Sequence, residues 1–168
     1  RDRKAHMIPV LCYHRVGLVA PGADHKMNVP PEQFRAQMEH IAPRCRPVAL
    51  DEALSGGTKS AVAITFDDGY RDLMTHVVPV LRELKIPATF FIVAGAVGGR
   101  DAWYRGDQDL MTWDDLKGLV SAGMSIGSHS MTHARLDEAG PDDARREIVE
   151  SKRLLEEKLG VRVAHFAY

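Results

Sequence analysis

The chain has 168 residues, enough for one domain with a substantial core. Hydrophobic residues make up 45% and the net charge is −1, so nothing in the electrostatics argues for nucleic acid or an anionic membrane surface. No apolar run approaches the roughly 20 residues that a transmembrane segment requires, and no hydrophobic signal region follows Arg1-Asp2-Arg3-Lys4.

In chain order, Ile8-Pro9-Val10-Leu11-Cys12-Tyr13 reads as a buried strand. Gly17 to Pro31 is loop-like, with Pro21, Gly22, Pro30 and Pro31. Glu32 to Ile41 sets Phe34, Met38 and Ile41 on one helical face. Asp51 is placed as the N-cap of a short helix ending before Gly56-Gly57. Ala61 to Phe66 is a continuous apolar strand, followed by a helical pattern from Arg71 to Lys85 that Pro79 should kink or interrupt. Ala88 to Val93 is a third apolar strand. Gly95 to Asp109 is a loop carrying Trp103 and Tyr104. Thr112 caps the next helix, which ends near Gly123. Ser125 to Ser128 is a short strand, and Pro141 opens a charged helix closed by Gly160. Val163 to Tyr168 begins another strand. Continuous apolar strands alternating with helices predict a parallel sheet buried on both faces, either an open doubly wound sheet or a barrel.

Two motifs carry chemistry. Thr65-Phe66-Asp67-Asp68-Gly69-Tyr70 stands at the carboxyl end of the second strand, where parallel α/β folds gather catalytic residues. Read alone, Asp-Asp-Gly is also ordinary turn punctuation. His129-Ser130-Met131-Thr132-His133 follows the Ser125–Ser128 strand. Two histidines four apart share a face if the segment makes one helical turn, and their nitrogens can then meet one ion at roughly 2.0–2.1 Å. Both motifs fall on one predicted rim. Two histidines and a carboxylate form a common metal set that leaves positions open. The zincin helix is excluded, because position 130 is Ser where that motif has Glu. The base must then come from the Asp pair. Gly69 permits the tight turn that lets adjacent Asp side chains enter one site.

Thr-Phe-Asp-Asp-Gly followed by His-Ser-x-x-His resembles the polysaccharide deacetylase family with the NodB homology domain, carbohydrate esterase family 4. Pro9 to Val16 resembles the opening strand of many members, and Met111 to His129 resembles the run into the histidine motif. The resemblance implies an α/β fold, a distorted and incomplete (β/α) barrel, spanning 1–168 as a single catalytic domain truncated at its carboxyl end. It implies Asp67 as general base and Asp68, His129 and His133 as metal ligands. Zinc is the default ion, with cobalt, nickel or iron suited to the same ligands. The implied activity is removal of N-acetyl or O-acetyl groups from a polysaccharide or amino sugar. The family also leans the localisation toward secretion or the cell envelope.

In the family, a strand like His165-Phe166-Ala167-Tyr168 leads into a Pro-Tyr motif and two later motifs that supply oxyanion contacts and a proton donor. Those groups are expected beyond Tyr168, and Ala167 stands where many members carry Arg. With no Met at position 1, the chain reads as a processed or cut piece. His14, Trp103 and Tyr104 are further candidates for substrate contact. His25, His40, His76 and His165 receive no role. Met7, Met38 and Met74 are read as core filler, and the 141–159 charges as a solvated helix face. Cys12 reads as a buried small hydrophobe, and with Cys45 it makes no disulfide framework. The alternatives are a cyclic amide or imide hydrolase on the same fold, and a carbohydrate-binding module without catalysis. The oligomeric state is open.

Overall fold

The computed structural model describes residues 8–18, 27–56, 59–104 and 108–168. Met7, His25 and the middle of the Gly17–Pro31 loop lie outside them. The strands are β1 (Val10–Tyr13), β2 (Arg15–Val16), β3 (Asn28–Val29), β4 (Arg46–Pro47), β5 (Ala61–Phe66), β6 (Thr89–Ile92) and β7 (Ser125–Ser128). The helices are α1 (Pro31–Arg44), α2 (Leu50–Leu54), α3 (Asp72–His76), α4 (Val78–Glu83), α5 (Trp113–Ser121) and α6 (Pro141–Leu159). All named strand pairs are parallel, and the main sheet runs β1-β5-β6-β7, with β4 beside the start of β5. The fold is the expected incomplete α/β barrel.

Every residue of β5 and β6 is buried. Val62, Ile64 and Phe66 face the large core shared with Phe34, Met38, Leu73, Leu81 and Leu116. Phe66 stacks on Phe90 at 4.8 Å between ring centroids. The opposite face of β5 carries Ala61 and Ala63, which join Val48, Leu50 and Phe91 in a smaller cluster. Small residues there suit the concave side of a curled sheet, where side chains crowd.

Several expectations are corrected. β1 is not buried throughout: its residues alternate between exposed and half-buried, because among the described residues it pairs only with β5. The segment expected to loop from Gly17 to Pro31 contains β3, which pairs with β2. Asp51 is not the cap of α2; Ala49 holds that position and Asp51 lies in the first turn. The helical run after Arg71 breaks at Val77 into α3 and α4, with Pro79 in the first turn of α4, where its missing N–H costs nothing. Val163 to Tyr168 is not a full strand; it meets β7 through a single parallel bridge, Ser128 to Phe166. Cys12 is exposed rather than buried, and both cysteines are free. Thr112 does cap α5, in a capping box with Asp115.

Candidate metal and catalytic site

The carboxyl ends of β1, β5 and β7 form one rim. Asp67 leaves β5 with its N–H donated to the Tyr13 carbonyl. The next two residues turn through the left-handed region, Asp68 at φ 71° and Gly69 at φ 79°. Asp tolerates that region better than most side chains, and Gly adopts it without penalty. The turn swings Asp68 under the rim, where it is 3% exposed, while Asp67 stays half-buried.

His129 leaves β7 with its N–H donated to Ile92. The helical turn that would set His129 and His133 on one face does not form. Instead Ser130 and His133 take positive φ, 65° and 61°, and the Ser130 hydroxyl accepts the His133 N–H. The chain doubles back and brings the two imidazoles together, 5.0 Å between centroids. Each His Nε2 lies 3.3 Å from Asp68 Oδ1. Neither contact has hydrogen-bond alignment, so Oδ1 is a buried acceptor without a donor. Burial alone would raise the Asp68 carboxyl, but the His129 and His133 contacts, with His14 nearby, hold it well below the usual carboxylate range. Burial alone would lower His129, but the Asp68 and Asp67 carboxylates push it up. Asp68, His129 and His133 thus present one oxygen and two nitrogens within 4.8 Å of one another, a fit for a divalent cation.

The surrounding contacts were not legible in the sequence. His129 Nδ1 faces the Ala167 carbonyl at 3.0 Å. Glu147 of α6 accepts the N–H groups of Met131 and Thr132, each at 2.8 Å, and the Thr132 hydroxyl. Gly95 donates to the Met131 carbonyl so closely that a Cβ would sit 2.6 Å from that oxygen. Gly127 faces Phe91 with 2.4 Å available for a Cβ. A glutamate within a charged helical run looks like any solvated residue, and no signal in the sequence separates Glu147 from its neighbours.

The remaining candidates separate. Trp103 stacks on His133, 4.6 Å between centroids and 14° between planes, so part of its surface is spent on a ligand-set residue. Tyr104 is 40% exposed. His14 joins Cys12 and Asp67 in a second cluster at the rim. The Cys12 thiol donates to Asp67 Oδ2 at 3.3 Å, and burial together with that carboxylate pushes it up to about 11. His165, given no role, pairs with Asp51 at 2.9 Å. Cys12, Asp67, Phe91 and Phe166 line a groove of about 430 Å³ along the concave face.

Known proteins are similar to this chain in sequence and fold. The chain is 27% identical to the Streptococcus pyogenes deacetylase PplD, solved in complex with acetate, with a TM-score of 0.84 over 96% of this chain and 73% of that one. BC0361, a polysaccharide deacetylase from Bacillus cereus, is 27% identical with a TM-score of 0.80, covering 96% of this chain and 50% of that one. Among sequences, a chitooligosaccharide deacetylase of Sinorhizobium fredii is 31% identical over 102 residues, 60% of this chain and 42% of that protein. YxkH of Bacillus subtilis is 26% identical over 164 residues, 93% of this chain and 54% of that protein. The chain therefore spans about half the length of these two curated relatives. Residues 55–168, which hold the Asp pair and both histidines, match the polysaccharide deacetylase profile. On that match the chain belongs to the polysaccharide deacetylase family.

Proposed function

We propose that the protein is a divalent-metal-dependent hydrolase that removes acetyl groups from an amino sugar or polysaccharide. The observation that carries this reading is the buried Asp68 Oδ1, without a hydrogen-bond donor and faced by two imidazole Nε2 atoms at 3.3 Å. A buried carboxylate in that state is costly by itself. Asp68, His129 and His133 hold the ion, and their mixed donors suit zinc first, then cobalt, nickel or iron. A cation there supplies Lewis acidity, which makes water a usable nucleophile near neutral pH and polarises a carbonyl.

The chain's own residues manage the protons. Asp67 takes the proton of the attacking water. The Cys12 thiol fixes Asp67 Oδ2, which leaves the second carboxylate oxygen for that proton. His14 places an imidazole in the same rim cluster as Asp67, and we assign it contact with the substrate beside the base, the proton donor for the leaving amine being expected beyond Tyr168. Tyr104 is the aromatic surface we assign to sugar contact.

The test uses full-length protein stripped with chelator and reloaded with zinc. It is offered N-acetylated chitooligosaccharides, O-acetylated xylan and a cyclic imide. Zinc-dependent acetate release from the sugars supports the reading. Hydrolysis of the imide alone, or sugar binding without any acetate release, overturns it.

A further inference from the structure

Beside the first donor set lies a second of different chemistry. Cys12 belongs to β1 and His14 follows two residues later, so strand alternation turns both to one side of the sheet. In the parallel register Cys12 is opposite Thr65, and continuing that register by two residues sets His14 opposite Asp67. The thiol, imidazole and carboxylate therefore meet on the concave side. Cys12 Sγ is 3.3 Å from Asp67 Oδ2, and with a His14 ring nitrogen the three donor atoms all lie within 4.8 Å of one another.

Thiolate, imidazole and carboxylate are the three donor types that zinc takes from proteins. The set is reachable, since Cys12 is exposed and both partners are half-buried. Cys12 sits in β1, and His14 and Asp67 directly follow β1 and β5, so short reach from two paired strands favours a preformed site over one assembled by mobile loops. The chemistry assigned to Asp67 asks only for a hydrogen-bond donor beside it, which a hydroxyl would supply. A thiol adds metal affinity to that position.

We propose that Cys12, His14 and Asp67 bind a second divalent cation of borderline-soft character, such as zinc or cobalt, and that its binding inhibits the enzyme. The cation site stands on the cluster alone. Its inhibitory effect rests on the reading above, because the ion occupies the base Asp67 and the His14 imidazole beside it. Excess metal then acts as a brake, while the first ion at Asp68, His129 and His133 is required.

Cobalt(II) titration of the full-length, chelator-stripped protein tests this. Two equivalents are expected, the weaker one bringing a thiolate-to-cobalt charge-transfer band in the near ultraviolet, with acetate release falling as the band grows. Cys12→Ser removes the band, and His14→Gln weakens that equivalent by about tenfold or more. Cys45→Ser keeps the band, which places it on Cys12. Asp68→Asn keeps the band and loses the other equivalent, so the two sites are read separately. A single equivalent without a thiolate band, or a band that survives Cys12→Ser in a protein with unchanged circular dichroism, overturns the second site. A second equivalent that leaves acetate release untouched overturns its inhibitory role.

Discussion

His129 Nδ1 and the carbonyl oxygen of Ala167 stand 3.0 Å apart. A carbonyl only accepts, so the ring donates its hydrogen from Nδ1, and Nε2, which faces Asp68, is the nitrogen left to meet a cation once its own proton is lost. The segment after α6 therefore decides the ligand chemistry of a residue at the end of β7. Outer contacts of this kind commonly set the tautomer and basicity of metal-binding histidines.

The roles divide cleanly by substitution. Asp68→Ala and His133→Ala are expected to abolish binding of the first metal ion. Asp67→Asn is expected to retain that ion and lose about 10²–10⁴-fold in turnover, the usual worth of a positioned base. Elemental analysis of the purified variants alongside acetate release reads both quantities. Full turnover in Asp67→Asn would end its assignment as base.

Glu147→Gln should loosen the loop that carries His133. The carboxylate accepts two backbone N–H groups and a hydroxyl. Burial alone would raise its pKa, but those donors hold it below the ordinary value. Its depressed value means that its stabilising contribution is present above the unfolded pKa and fades as pH falls through the folded one. A cost of about 1–2 kcal/mol near neutral pH is expected, toward the lower end for a partly solvated group. Urea denaturation at pH 7 and below pH 4 should show the difference between variant and parent shrinking in acid. A difference that stays constant with pH contradicts the clamp.

Gly95→Ala probes the approach between the short helical turn after β6 and the histidine loop. Its Cβ would lie 2.6 Å from the Met131 carbonyl oxygen, which is backbone and cannot rotate away. The loop must shift, at a cost of about 1–3 kcal/mol. Metal affinity should fall together with thermal stability, since Met131 lies between the two histidines. Calorimetric zinc titration checks this, and unaltered affinity would show that the loop position is set elsewhere.

Acid should act in opposite directions on the metal-free and metal-bound protein. The His129 pKa is raised above 6.5 by the neighbouring carboxylates, despite burial. Protonated His129 thus stabilises the metal-free fold: the contribution is complete below the unfolded value of 6.5 and is lost as pH rises through the folded value. The cation needs the same nitrogen deprotonated. Zinc should therefore raise the melting temperature more at pH 8 than at pH 6, measured by thermal scans with and without metal. A zinc effect that grows on acidification refutes this competition.

The sequence by itself determined the strand and helix order around the site, the rim to which Asp67 and Asp68 belong, and the histidine pair on that rim. It could do so because apolar runs, caps and glycines act locally: the β5 run is buried along its whole length, Thr112 caps α5, and Gly160 closes α6 at φ 66°. Tertiary structure alone decided how His129 and His133 converge. The i, i+4 spacing would bring them together only through a helical turn, and two left-handed residues with the Glu147 clamp produce the convergence instead. It also decided that Cys12 leaves the core and faces Asp67, because only strand pairing tells which side of β1 is covered. Such contacts join residues far apart in the chain, and nothing in the local pattern of either partner encodes the meeting.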